Sequence, residues 1–107
     1  MNLLFVCSRN QWRSRTAETV FKNRADFQVQ SAGTSKTARI KLSRKLLSWA
    51  DLIFVMENKH KRIISEQFPD LSRSKKIVVL DIPDEYEYRD PALEELIYDR
   101  VEAILNW

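Results

Sequence analysis

The chain has almost none of the residues that staple or sharply turn a small fold. It carries one cysteine, Cys7, which can form neither an internal disulfide nor a CxxC metal site; a reducing, cytoplasmic setting is expected. It carries one glycine, Gly33, so few positions suit left-handed turns, and there is no Gly/Ser linker, internal repeat or low-complexity tract. Its one histidine, His60, cannot assemble a metal cluster alone, and flanked by Lys59, Lys61 and Arg62 it is expected on a solvated helix face. No apolar run approaches the roughly 18 to 20 residues of a membrane span. The start, Met1 to Cys7, is apolar but lacks a basic lead-in and a small-residue cleavage site, so it reads as a buried strand and not as a signal peptide.

What is present fits a soluble globular chain. Hydrophobic residues make up 44% and charged residues 31%, and 107 residues are enough for one domain, 1–107, with no room for a second core. The net charge of +3 is unevenly placed. Residues 1–50 hold ten Lys/Arg against two acids, whereas residues 51–107 hold eight against thirteen. A basic half suits an anionic ligand and keeps nucleic acid as a weaker alternative, although uneven surface charge alone accounts for it equally well.

Four short apolar runs, Leu3 to Val6, Phe27 to Gln30, Leu52 to Met56 and Ile77 to Leu80, predict buried strands. The last two are nearly continuous, as in parallel strands covered on both faces. Ala17, Val20 and Phe21, then Ile63, Ile64 and Phe68, recur at helical spacing. The run Arg39 to Lys45 also has helical spacing, with Ile40, Leu42, Leu46 and Leu47 available to face inward. Leu93, Leu96, Ile97, Val101, Ile104 and Leu105 form the clearest stripe, opened by Asp90 as cap and Pro91 in the first turn. Trp49 and Trp107 flank apolar segments and are expected in packing roles. Alternating strands and helices give an α/β three-layer sandwich, whose ligands bind outside the carboxyl ends of the strands. The first such end is Cys7.

From there the sequence runs Cys7, Ser8, Arg9, Asn10, Gln11, Trp12, Arg13, Ser14, or Cys-x5-Arg-Ser between a strand and a helix. A tight loop of this length can aim successive backbone N–H groups at a tetrahedral anion, and the following helix adds its positive end. Arg13 offers a planar pair of donors to two phosphoryl oxygens. The positive field favours the thiolate of Cys7, the form that attacks phosphorus, and Ser14 stands where it can donate to that thiolate. With ten arginines in the chain the spacing alone is weak, since a buried cysteine ending a strand is common. The strand before, the helix after and an Asp-Pro pair downstream favour catalysis. Protonating a leaving group needs an acid, which as a carboxylate then activates water. Asp90, fixed by Pro91, is the first candidate and Asp84, beside Pro83, the second; the competing role for Asp90 is that of a helix cap alone.

These residues resemble the low-molecular-weight protein tyrosine phosphatases. The similarity runs through Val6 to Ser14, Ser31 to Thr34 after the second strand, Ala50 to Glu57, and Asp90-Pro91, and so spans nearly the whole chain. It implies a four-stranded parallel sheet flanked by helices. It also implies Cys7 as nucleophile, Arg13 as phosphate clamp, Asp90 as acid/base, Ser14 as thiolate stabiliser and Asn10 as the residue that shapes the loop, with Ser8, Arg9, Gln11 and Trp12 completing the phosphate site. Two positions depart from the family's loop, which commonly has glycine at Arg9 and a second cysteine at Trp12. Loss of the glycine is expected to strain or redirect the loop. Trp12, Tyr86 and Tyr88 are candidates for an aromatic substrate wall.

The expected function is a cysteine-dependent phosphatase, acting on phosphotyrosine protein or a small phosphomonoester through a phosphocysteine intermediate. No metal or cofactor is needed for it. The alternative is a catalytically weak module that reads phosphate or phosphoprotein on the same fold. Arsenate reductases share the loop but shuttle electrons through additional cysteines, which disfavours that chemistry here. Because position 12 is tryptophan, hydrogen peroxide is expected to inactivate Cys7 without forming an intramolecular disulfide. Mass spectrometry of the oxidised monomer should find oxygen added to Cys7, and reversible protection in the absence of another thiol would refute this.

Overall fold

The computed structural model of the chain describes residues 1–105, so the packing expected of Trp107 lies outside the described residues. Four strands form one parallel sheet: β1 (Asn2–Cys7), β2 (Gln28–Gly33), β3 (Leu52–Val55) and β4 (Lys76–Val79). Five helices connect and cover them: α1 (Arg13–Phe21), α2 (Arg44–Trp49), α3 (Asn58–Gln67), α4 (Pro69–Ser74) and α5 (Pro91–Leu105). The strand order is β2-β1-β3-β4, which puts β1 in the interior with later strands on either side. Its carboxyl end, Cys7, therefore lies where the connections diverge, the place where an open α/β sheet leaves a crevice.

Alternation along β1 builds two cores at once. Leu3, Phe5 and Cys7 face a cluster with Ala17 and Phe21 of α1 and Leu93, Ile97 and Val101 of α5. Leu4 and Val6 face the other way, onto Leu47 of α2, Ile53 and Val55 of β3 and Ile64 of α3. This is why the central strands read as unbroken apolar runs: neither face of the sheet reaches water. Phe5 stacks between Phe21 and Phe54, with centroids 5.8 and 5.2 Å away.

Three expectations need correction. Ser31 to Gly33 do not follow the second strand but form its end, with Cys7 opposite Gly33. The helix expected from Arg39 begins only at Arg44, because Ser43 adopts extended angles and its hydroxyl accepts the Leu46 N–H as a cap. Leu42 is buried beside Gly33, whose carbonyl accepts the Leu42 N–H, while Ile40 is exposed. The helix through Phe68 stops at Gln67, since Pro69 pushes the residue before it out of the helical region and opens α4.

The lone glycine is a packing requirement. A Cβ on Gly33 would stand 2.5 Å from the Ser8 carbonyl oxygen and 2.7 Å from the Ala38 Cβ. Gly33→Ala is therefore expected to cost about 1–3 kcal/mol, read as a lower denaturant midpoint at unchanged slope. Unaltered stability would mean that the loop over Gly33 gives way freely.

Candidate active site

The turn from β1 into α1 is held from behind by residues 34–39. The Cys7 carbonyl accepts the Thr34 N–H, the Ser8 carbonyl that of Ser35 and the Arg9 carbonyl that of Arg39, at 2.9, 2.8 and 2.9 Å. The Asn10 carbonyl accepts Arg39 Nε at 3.0 Å. In a trans peptide the C=O and the next N–H point opposite ways, and the described residues contain no cis bond. Drawing these carbonyls outward turns the N–H groups of Ser8, Arg9 and Gln11 inward, and that of Asn10 toward the Cys7 sulfur. The result is the concave, N–H-lined turn that a tetrahedral anion fits.

The strain expected at Arg9 is not found. Arg9 is not among the positive-φ residues; the left-handed position is Asn10, at φ 57°, a conformation that asparagine tolerates better than most. Asn10 lies beneath the loop, fully buried, and does not line the cavity. Its N–H donates to Cys7 Sγ at 3.2 Å and its side-chain amide donates to Ser14 Oγ at 2.7 Å. Ser14 Oγ lies 2.9 Å from Cys7 Sγ and 3.4 Å from the Ala32 carbonyl. A serine hydroxyl has one proton; with Asn10 occupying a lone pair, the nearer acceptor for that proton is the sulfur. Two donors thus meet at Sγ, an arrangement suited to a thiolate.

A cavity of about 140 Å³ opens over Cys7, walled by Ser8, Arg9, Gln11, Trp12, Arg13 and Asp84. Arg13 is 2% exposed and anchored through Nη1, which donates to Glu57 Oε1 at 2.5 Å and to the Ile82 carbonyl at 2.9 Å. Among the described residues Nη2 has no protein acceptor, and Nε faces Asp84 Oδ1 at 3.7 Å, too far for a hydrogen bond. The Nε–Nη2 edge is the one able to grip two oxygens.

The two acid candidates part company here. The Ile82 N–H donates to the Met56 carbonyl, so the chain after β4 continues beside β3 and passes over Arg13. Asp84, two residues on, reaches the cavity with its side chain 55% exposed. Asp90 is not among the residues walling it. Its Oδ1 accepts the Ala92 N–H and its carbonyl that of Glu94, so it serves as the cap of α5. The aromatic wall is reduced in the same way. Trp12 stands at the cavity, 44% exposed, whereas Tyr86 packs on the core and Tyr88 binds Thr19 and stacks under Arg15.

Sequence reasoning missed two residues altogether. His60, expected in solvent, is fully buried. As the third residue of α3 its ring folds back so that Nδ1 accepts the Glu57 N–H at 3.0 Å, and Nε2 lies 2.9 Å from Ser8 Oγ. Glu57 caps α3 in return, accepting the His60 N–H, while it also holds Arg13. A Glu three residues before a His at a helix start was the available signal, masked by the cationic neighbours of His60. Burial opposes ionisation of Glu57, but the hydrogen bond and charge of Arg13 outweigh it and hold the carboxyl below its usual value. Burial and the Arg13 charge push His60 down from 6.5 to about 4, against smaller opposing effects of Glu57 and Asp84.

No family model matches the sequence. The protein-arginine-phosphatase of Bacillus subtilis (strain 168) is 30% identical over a stretch covering 64% of this chain and 63% of that protein, less than two thirds of its length. The fold matches that of a YwlE mutant from Bacillus subtilis at 25% identity and a TM-score of 0.72, covering 100% of this chain and 99% of that one. It also matches Vibrio vulnificus Wzb in complex with benzylphosphonate at 25% identity and a TM-score of 0.78, over 98% and 97% of the two chains. A low-molecular-weight protein tyrosine phosphatase from T. tengcongensis, 22% identical, shares the fold with a TM-score of 0.76 over 100% of this chain and 99% of its own.

The acid dependence of stability follows from His60. Its pKa is lower folded than unfolded, so below 6.5 the unfolded chain binds the proton first and stability falls as pH drops toward about 4. The whole loss is about 3 kcal/mol. Glu57 acts in the same direction, from its usual 4.5 downward. His60→Asn is expected to flatten the decline between pH 6.5 and 4.5, read from denaturant midpoints across that window. An unchanged slope in the variant would place its origin elsewhere.

Proposed function

We propose that this chain, a member of the low-molecular-weight protein tyrosine phosphatase family, is a phosphatase in which Cys7 is the nucleophile, Arg13 the phosphate clamp and Asp84 the general acid and base. The observation that carries the reading is the cavity over Cys7, into whose wall Arg13 and Asp84 are brought from opposite ends of the chain. A phosphoryl group seated in the N–H-lined turn would have Sγ on one side and the leaving oxygen on the other, toward Asp84. Attack by the thiolate forms the S–P bond and breaks the P–O bond while Asp84 protonates the departing oxygen. The resulting carboxylate takes a proton from water as its oxygen attacks phosphorus, releasing inorganic phosphate and restoring Cys7.

The substrate we favour is phosphotyrosine in a protein. Trp12 offers a flat face to a phenyl ring, and Arg9 on the same wall suits a dianion but disfavours a cationic guanidine group. The benzylphosphonate bound by Wzb has the same ring-and-phosphorus outline. Phosphoarginine is the second reading, supported by the activity named for the Bacillus subtilis relative. The reaction needs Cys7 reduced, which accords with the expected cytoplasmic setting.

Hydrolysis of p-nitrophenyl phosphate in EDTA at mildly acidic pH tests the assignment. Cys7→Ser should abolish turnover, Asp84→Asn should lower kcat about a hundredfold or more, and Asp90→Asn should cost only a cap's worth of stability, about 1 kcal/mol. The reverse order for the two aspartates would return the acid role to Asp90. Parallel assays on phosphotyrosine and phosphoarginine peptides decide the substrate. No turnover, with a phosphopeptide still bound, would leave the chain a phosphate reader.

A further inference from the structure

We propose that His60 is a positioning residue that fixes the Ser8 hydroxyl as a hydrogen-bond donor to the phosphoryl group seated over Cys7, an inference that rests on the phosphatase reading above. The tautomer of the ring follows from its partners. A backbone N–H can only donate, so at 3.0 Å from Glu57 N the His60 Nδ1 must be the acceptor. The proton of the neutral ring is therefore on Nε2, 2.9 Å from Ser8 Oγ, and Ser8 accepts it. Ser8 cannot return its own proton to a nitrogen that already carries one. Among the described residues no other acceptor lies within reach of Ser8 Oγ, and Ser8 walls the cavity between Cys7 and Arg9. Its proton is thus left for an anion in that cavity.

The consequence is directional. A freely rotating hydroxyl presents a lone pair to a phosphoryl oxygen as readily as a proton, and the lone pair repels. With Nε2–H occupying one lone pair, the donor orientation is favoured before the anion arrives. Burial and the Arg13 charge keep the ring neutral down to about pH 4, so the orientation holds at the mildly acidic pH of the assay and above. A purely structural role would be served by Nδ1 alone, which closes the cap of α3. It gives no reason for Nε2 to meet a residue 52 positions away.

Side chains of different reach separate the two roles. In His60→Asn the amide oxygen can still accept the Glu57 N–H, but nothing extends to Ser8; in His60→Gln the longer amide can again donate to Ser8. Calorimetric titration with inorganic phosphate, alongside thermal unfolding and p-nitrophenyl phosphate kinetics, supplies the readouts. Ser8→Ala and His60→Asn are each expected to weaken phosphate binding about five- to tenfold. The double variant should be no weaker than Ser8→Ala alone, and His60→Gln should recover most of the affinity. Full phosphate affinity in His60→Asn, or losses that multiply in the double variant, would overturn the proposal whatever the thermal midpoints do. A native chain that binds phosphate but hydrolyses nothing would refute the phosphatase reading while the same titrations still decide the role of His60. A native chain that does not bind phosphate overturns both.

Discussion

The site is organised around one buried ion pair. Arg13 is nearly removed from water, and a guanidinium in that position is tolerable only if its charge is met. Glu57 Oε1 meets it at 2.5 Å, and the Ile82 carbonyl takes a second bond from the same nitrogen. Glu57 is not a free side chain reaching in from solvent; it is the N-cap of α3, held by its reciprocal bonds with His60. The first turn of α1, the start of α3 and the strand extension after β4 are therefore tied at a single arginine. Removing Glu57 would leave a buried charge unmatched and release all three. The same pair commits Nη1 and leaves the Nε–Nη2 edge of Arg13 for the cavity that it walls.

What the sheet contributes is placement. Cys7 ends an interior strand with both faces buried, so its backbone is fixed by ladders to β2 and β3 and by packing on two sides. A residue at the end of such a strand cannot drift. The loop that follows is irregular, yet its carbonyls are tied to residues 34–39, and Gly33 lets those two segments touch. Rigidity at Cys7 thus passes into the turn that follows it through backbone hydrogen bonds, without help from the side chains of Arg9, Gln11 or Trp12. The path of the turn is therefore independent of those three side chains. The demanding backbone position is Asn10, and it is kept.

How much of this the sequence carried depends on whether the signal was local. Strands on unbroken apolar runs, and the loop from Cys7 to Ser14, are local patterns, and they were legible to within a few residues. The acid was not. Asp84-x-x and Asp90-Pro91 both sit in an acidic, proline-flanked stretch, and a cap looks the same as a catalytic acid until the path of the backbone is known. The Ile82–Met56 hydrogen bond sets that path, and nothing in the local sequence announces it. His60 was misread for a related reason. Its neighbours Lys59, Lys61 and Arg62 do face solvent, but a helix turns 100° per residue, so neighbours in sequence say little about the face of a single ring.

The positions of Asp84 and His60 share one feature of the fold. Asp84 lines the cavity from the segment after β4, and His60 meets Ser8, one of its walls, from the start of α3 after β3. Both are placed by contacts with Arg13 or with its partner Glu57. In the proposed mechanism the loop motif supplies the nucleophile and the anion seat. The groups proposed to orient a proton, His60 at Ser8 and Asp84 at the leaving oxygen, come from elsewhere in the chain. Substitution at Arg9 and Trp12 changes what the wall of the cavity can recognise. It leaves that proton-handling frame untouched, since neither side chain takes part in it. On the proposed reading, a variant loop on this fold changes specificity before it costs chemistry.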